Sequence, residues 1–272
     1  MPKELEDKIL IASGIDGSKI IEVESQLNAL NTHILQRYGN GYKGIISKLN
    51  EKANDISYEV INELPSIEPH ITSLLKGQPT QRKNQCVSLS ALFVSLANKQ
   101  ELSSEIMTRP GHVWIRYDKK EYDPSSPLCP AGSDEQTTTL PGESIAGIML
   151  EIRGRDELYK GNIADSIKVL TQAITFCPEL PGPYSWRGYA FLQNKEFKKA
   201  REDMDKAVSK KPNFELPYTF RAELAITEKN PELALTMLKE AEKYSKNNYT
   251  KKLKSEAYKM EGKKLKAYFA MI

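Results

Sequence analysis

Cysteine is scarce here: Cys86, Cys129 and Cys177 are the only three in 272 residues. An odd number, without metal-ligand spacing, excludes a disulfide framework and gives no metal site. Histidine is equally rare, and His33 and His70 have no companions in the sequence. No apolar run approaches the roughly 20 residues that a membrane-spanning helix needs. Nor does one sign of charge dominate. Against 39 basic side chains stand 36 acidic ones, a net charge of +3, which provides no general field for nucleic acid or an anionic membrane. A basic–aromatic platform for nucleic acid is also missing. The opening MPKELEDKILIASG is mixed in charge and lacks the apolar core of a secretory signal. A native start of this kind points to the cytoplasm; a trimmed signal would mean export. Nothing in the sequence calls for a cofactor or a metal.

What is present suffices for two domains. Residues 4–75 read as helix, interrupted at Gly14–Gly17 and Gly39–Gly44. A second helix begins at Cys86, with Leu89, Leu92, Phe93 and Leu96 on one face. EIMTRP and HVWIRY follow as extended runs. In the second, Val113, Ile115 and Tyr117 alternate with His112, Trp114 and Arg116, the period of a half-buried strand. The chain turns near Asp118–Lys119 and returns as EYDPSS. Residues 124–142 are rich in Pro, Ser, Thr and Gly and read as a long loop, a linker or lid.

Beyond the loop the sequence repeats itself. Ala173, Ala207 and Ala241 are 34 residues apart, as are Pro178 and Pro212, Tyr184 and Tyr218, and Gly154 and Gly188. That period, with small residues where paired helices touch and proline where the second helix stops, is the tetratricopeptide pattern. The repeats are expected at 147–180, 181–214 and 215–248, with a capping helix at 249–271 presenting Leu253, Ala257, Met260 and Met271 on one side. Groove positions on the first helices would include Tyr159, Ser185, Tyr189, Gln193, Thr219 and Glu223, which fits a protein or peptide partner. That set lacks the basic clamp that holds a C-terminal carboxylate.

Before the repeats, Cys86 opens a helix, His112 opens a strand and Asp123 lies on the returning strand. A helix N-terminus favours a thiolate, an imidazole can hold it as an ion pair, and a carboxylate beyond fixes the imidazole. A two-residue turn at Asp118–Lys119 would set Tyr117 opposite Lys120, Ile115 opposite Tyr122 and Trp114 opposite Asp123. Asp123 then shares a face with His112, about 7–8 Å away along the diagonal. The other face would carry Val113, Ile115, Tyr117 and Tyr122 toward a core. A slip of one residue would disperse both sets.

NQCVSLSALFVSLANKQ, PGHVWIRY and YDPSSP resemble the three blocks of the transglutaminase-like fold, a relative of the papain-type cysteine enzymes. The wording is closest to bacterial transglutaminase-like proteins of the SirB type, which often carry tetratricopeptide repeats after that domain. The resemblance implies an α+β cysteine-enzyme domain over 1–128, a linker at 129–143 and an all-α repeat domain over 144–272. Cys86 would be the nucleophile, His112 the base and Asp123 the orienter, with the Cys86 backbone N–H as oxyanion donor and Gln78 or Gln81 as possible side-chain donors. Gln85 stands where such proteins usually have a small residue. The function implied is acyl transfer or amide hydrolysis, with the repeats holding a protein or peptide. The alternative is an inactive scaffold that works through its repeats.

Overall fold

The structure is a computed structural model, and it describes residues 8–9, 11–12, 24–25, 28, 32, 85–99, 102–109, 111–117, 119–123 and 137–271. Residues 8–32 that are described are helical; the rest of the helical reading over 4–75 lies outside them, as do Gln78, Gln81, Asp118 and Cys129. The chain divides into two units, Met1–Met149 and Leu150–Ile272.

In the first unit, helix α1 (Gln85–Lys99) buries Cys86, Ser90, Phe93 and Ala97. Their spacing of four, three and four keeps them on one helical face. Strands β1 (Glu105–Arg109), β2 (His112–Tyr117), β3 (Lys120–Tyr122) and β4 (Thr138–Pro141) form one antiparallel sheet in the order β3-β2-β1-β4. Two residues join each of the first two strand pairs. Arg109 pairs with His112 around Gly111 at φ +81°, and Tyr117 pairs with Lys120 around Lys119 at φ +63°. Left-handed backbone in such short connections matches the twist of the strands.

Three expectations change here. The segment 129–143 is not all linker: Thr138–Pro141 pairs with β1, setting Leu140 opposite Ile106 and Pro141 opposite Glu105 at the sheet's edge. Its run of threonines suits a strand, and an edge tolerates proline. Strand β2 is not half-buried, since Val113, Trp114 and Ile115 are all buried, which covers both faces at its middle. Tyr117 is only half-buried, and the side chain of Tyr122 lies outside the described residues.

The α+β papain-related fold class is also overturned. The described residues form nine bounded helices against one sheet whose strands are three to six residues long, and no papain-like domain appears among them. The three sequence blocks each specify a local element, and a helix followed by a hairpin is common to many folds.

The division between units falls inside α2 (Ser144–Tyr159). The second unit continues as α3 (Ile163–Phe176), α4 (Pro181–Gln193), α5 (Phe197–Lys210), α6 (Glu215–Thr227), α7 (Pro231–Ala241), α8 (Asn248–Met260) and α9 (Lys264–Phe269). Rows at the 34-residue period are buried together: Leu158, Leu192 and Ile226; Leu170, Met204 and Leu238; Ala173, Ala207 and Ala241. Gly154 and Gly188 are in place for close approach. A Cβ at Gly154 would lie 2.5 Å from Leu170 Cγ, and one at Gly188 3.1 Å from the Ala200 carbonyl. These are the stacked helix pairs of a tetratricopeptide array.

The turn inside each pair repeats as well. Gly161, Lys195, Lys229 and Gly262 all have positive φ, the last one residue short of the period. The segment 249–271 is therefore not a single capping helix but a fourth hairpin, α8 and α9, broken at Gly262. Leu253 and Ala257 are buried as expected of one side, whereas Met260 and Met271 are exposed. A glycine at positive φ ends the helix where a continuous one would have kept all four on one face.

Candidate functional site

Two places carry chemistry, one in each unit. In the first, α1 supplies Cys86 as its second residue, β2 supplies His112 as its first, and Asp123 follows the last residue of β3. The β2–β3 register is the one that the period-two pattern implies, with Ile115 opposite Tyr122 and Tyr117 opposite Lys120. His112 Nε2 and Asp123 Oδ2 lie 2.6 Å apart, and the Asp123 side chain is almost fully buried. Cys86 is hydrogen-bonded to the same imidazole.

This arrangement sets the charge on His112. The hydrogen bond to Asp123, and then the one to Cys86, push its pKa up to about 10 against an opposing effect of burial. Near neutral pH it is an imidazolium. It can therefore pair with a thiolate and protonate a departing amine. Trp114, completely buried, lies under the imidazole with the rings 5.6 Å apart and nearly parallel. Its indole N–H donates to Glu121 Oε2 at 3.0 Å, and the Arg109 guanidinium lies 5.5 Å from its ring centre. Cys86 itself is only 5% exposed. A cavity of about 370 Å³ between the end of α1 and strands β1 and β4 is lined by Val94, Asn98, Ser104, Thr139 and Glu143 among others, and by none of Cys86, His112 and Asp123.

In the second unit the first helices of successive repeats pack side by side, α4 on α6 and α6 on α8. Their side chains make a continuous polar–aromatic face. Tyr159 meets Trp186 edge-on at 5.9 Å, Trp186 meets Phe220 at 5.1 Å, and Tyr189 stacks on Phe220 at 4.5 Å. The Glu223 carboxylate accepts from the Tyr189 hydroxyl at 3.5 Å and from Tyr249. Burial raises the Glu223 pKa, opposed by the tyrosine hydrogen bonds. Glu151, beside Trp186 and Arg155, is pushed by burial to about 7.

Of the six groove positions read from the sequence, Tyr159, Tyr189, Gln193 and Glu223 are at least partly exposed. Ser185 and Thr219 are not available to a partner. Both are buried; the Ser185 hydroxyl donates back to the Pro181 carbonyl one turn earlier, the usual resort of Ser and Thr inside helices, and the Thr219 hydroxyl donates to the Glu215 carboxylate. Arg155 and Tyr249 were missed. Arg155 was within reach of sequence reasoning, because it stands 34 residues before Tyr189; Tyr249 belonged to the segment read as a cap.

No family model matches the sequence, and no curated protein does. The transglutaminase-like resemblance thus has no counterpart among these comparisons. Solved structures that it is similar to are tetratricopeptide proteins. The first tetratricopeptide domain of Spaghetti, solved with an HSP90 peptide, is 20% identical with a TM-score of 0.38, covering 43% of this chain and 90% of that one. The TPR2B domain of yeast Sti1, in an Hsp70 complex, is 26% identical with a TM-score of 0.35, covering 45% and 96%. A tetratricopeptide repeat protein from Parabacteroides merdae is 14% identical with a TM-score of 0.43, covering 82% and 77%. Scores this low say nothing of what this chain binds. Among the described residues, no helix is long and apolar enough to cross a membrane.

Proposed function

We propose that this chain is a protein-binding adaptor that holds a peptide segment of its partner on the first-helix face of its repeats. The observation that supports it is the row of partly exposed Tyr159, Tyr189, Gln193 and Glu223 on the first helices, with α4 packed on α6 and Tyr159 of α2 against Trp186 of α4. Aromatic faces and hydrogen-bonding groups set on rigid helices offer large contact at little entropic cost. Tyr159, 70% exposed, is a natural anchor. A peptide-display selection on the full chain tests this. Enriched peptides should bind the Tyr159→Ala protein at least tenfold more weakly, and equal affinity for the two proteins would remove the face from the account.

A second reading, thiol chemistry on an amide or acyl substrate, is favoured by the 2.6 Å contact between His112 and Asp123. In this reading the Cys86 thiolate attacks a carbonyl carbon to form a thioester, His112 gives its proton to the leaving amine, and water or a second amine releases the acyl group. Cys86 and Cys177 are equally buried at 5% and 6%, so burial alone predicts equal labelling. The thiol reading predicts that iodoacetamide at pH 7 modifies Cys86 first and that His112→Ala removes the preference. Mass mapping that finds the two cysteines labelled alike would leave the adaptor reading alone.

A further inference from the structure

We propose that the fourth hairpin docks on an anionic lipid bilayer, with Leu265, Tyr268 and Phe269 of α9 entering the headgroup layer and Lys264 and Lys266 meeting its negative charge. The proposal goes beyond the adaptor reading and uses a different helix of the repeat unit.

The side chains of α9 are arranged as an interfacial helix requires. Ala267 is buried and marks the side that packs on the fold. At about 100° per residue, Leu265 and Phe269 stand nearly opposite Ala267, Tyr268 stands beside them, and Lys264 and Lys266 flank the three. Leu265, Phe269 and Tyr268 are 76%, 68% and 65% exposed, and the two rings meet edge-on at 5.7 Å. Single exposed apolar residues are ordinary, but a contiguous cluster rimmed by charge marks a surface that is covered in use.

The earlier hairpins carry something else at these positions. Counted from the positive-φ residue of each turn, Leu265 corresponds to Ala164, Lys198 and Glu232, and Phe269 to Lys168, Glu202 and Thr236. All six are exposed, although another helix follows each of those hairpins. A further helix stacked on α9 could cover Met271, whose counterparts Leu170, Met204 and Leu238 are buried. It would leave Leu265 and Phe269 in the open.

Charge complementarity selects the occupant. Residues 249–272 hold seven lysines against two glutamates, while the whole chain is nearly balanced. Of the two acids, Glu261 takes Lys263 at 3.0 Å and Glu256 is exposed on α8. Lys266 lies 5.9 Å from the centre of the Tyr258 ring, and Lys264 forms no ion pair among the described residues. A second copy set on this face would bring lysine against lysine. A six-residue helix also presents far less than the roughly 20 residues a side of a stable protein interface. A bilayer with anionic headgroups suits both features, because its charge answers the lysines and its acyl boundary takes leucine and the aromatic rings.

The test is co-sedimentation of the full chain with large vesicles of phosphatidylcholine alone, or with about 30% phosphatidylserine added. The anionic vesicles should bind at least tenfold more tightly, and less so as salt rises. The Leu265→Ser/Phe269→Ser protein and the Lys264→Gln/Lys266→Gln protein should each bind them at least fivefold more weakly. All four changes are at exposed positions, and unchanged thermal melts would show that both proteins fold. Equal binding to the two kinds of vesicle, anionic binding that ignores both pairs of substitutions, or no binding at all overturns the proposal. So does a dimer in sedimentation equilibrium that the Leu265→Ser/Phe269→Ser change dissolves, since a second copy would then cover the face. The adaptor reading is judged separately, by the Tyr159→Ala protein and its selected peptides.

Discussion

Asp123 decides what His112 can do. In the folded chain His112 keeps its proton up to about pH 10, whereas in the unfolded chain it titrates near 6.5. A folded pKa raised in this way stabilises fully below pH 6.5, and the stabilisation is lost as pH rises through 10. Asp123→Asn should therefore cost about 2 kcal/mol at pH 6 and progressively less toward pH 10, measured by urea denaturation across the series. A loss that does not change with pH would mean that His112 carries no extra proton in the folded state. The placement of this pair was legible in the sequence, because strand parity fixes which residues share a face. The charge was not legible. It depends on the buried carboxylate lying 2.6 Å from the ring, a distance that spacing along the chain does not set. Trp114 was assigned correctly to the face of His112, but its complete burial needs a second layer that a six-residue pattern cannot reveal.

At the scale of elements, the repeat was readable because its constraints recur. Gly154 and Gly188 sit where one helix presses on the next, and Ala222, completely buried, takes the same position one period later. Gly154→Ala should destabilise by about 1–3 kcal/mol, because its new methyl would meet the fully buried Leu170 at 2.5 Å. A thermal melt unchanged from the wild type would show that the helices have room to part. Two elements were misread for local reasons. Strand β4 hides in a stretch whose Pro, Gly and Ser content signals loop, although its threonines favour a strand once β1 offers an edge. Helices α8 and α9 read as one because lysine-rich sequence masks the period, and only Gly262 at φ +74° betrays the turn. Lysine fills the same turn position at Lys195 and Lys229, so a search for glycine alone would have missed two of the four.

At the scale of the molecule, the sequence supports the repeat unit far better than the N-terminal one. A 34-residue period tests itself at several offsets, and the buried rows through Leu158, Leu170 and Ala173 follow from it. The three blocks around Cys86, His112 and Asp123 test only a helix and a hairpin, so they could not carry a whole fold class. Function follows the same division, with the adaptor reading resting on the repeats. Hydrogen–deuterium exchange on the full chain, with and without a display-selected peptide, tests that reading most directly. Protection should appear on the first helices α2, α4 and α6, around Tyr159, Tyr189 and Glu223, while the second helices α3, α5 and α7 stay unchanged. Protection confined to the second helices, or to residues 85–123, would contradict it.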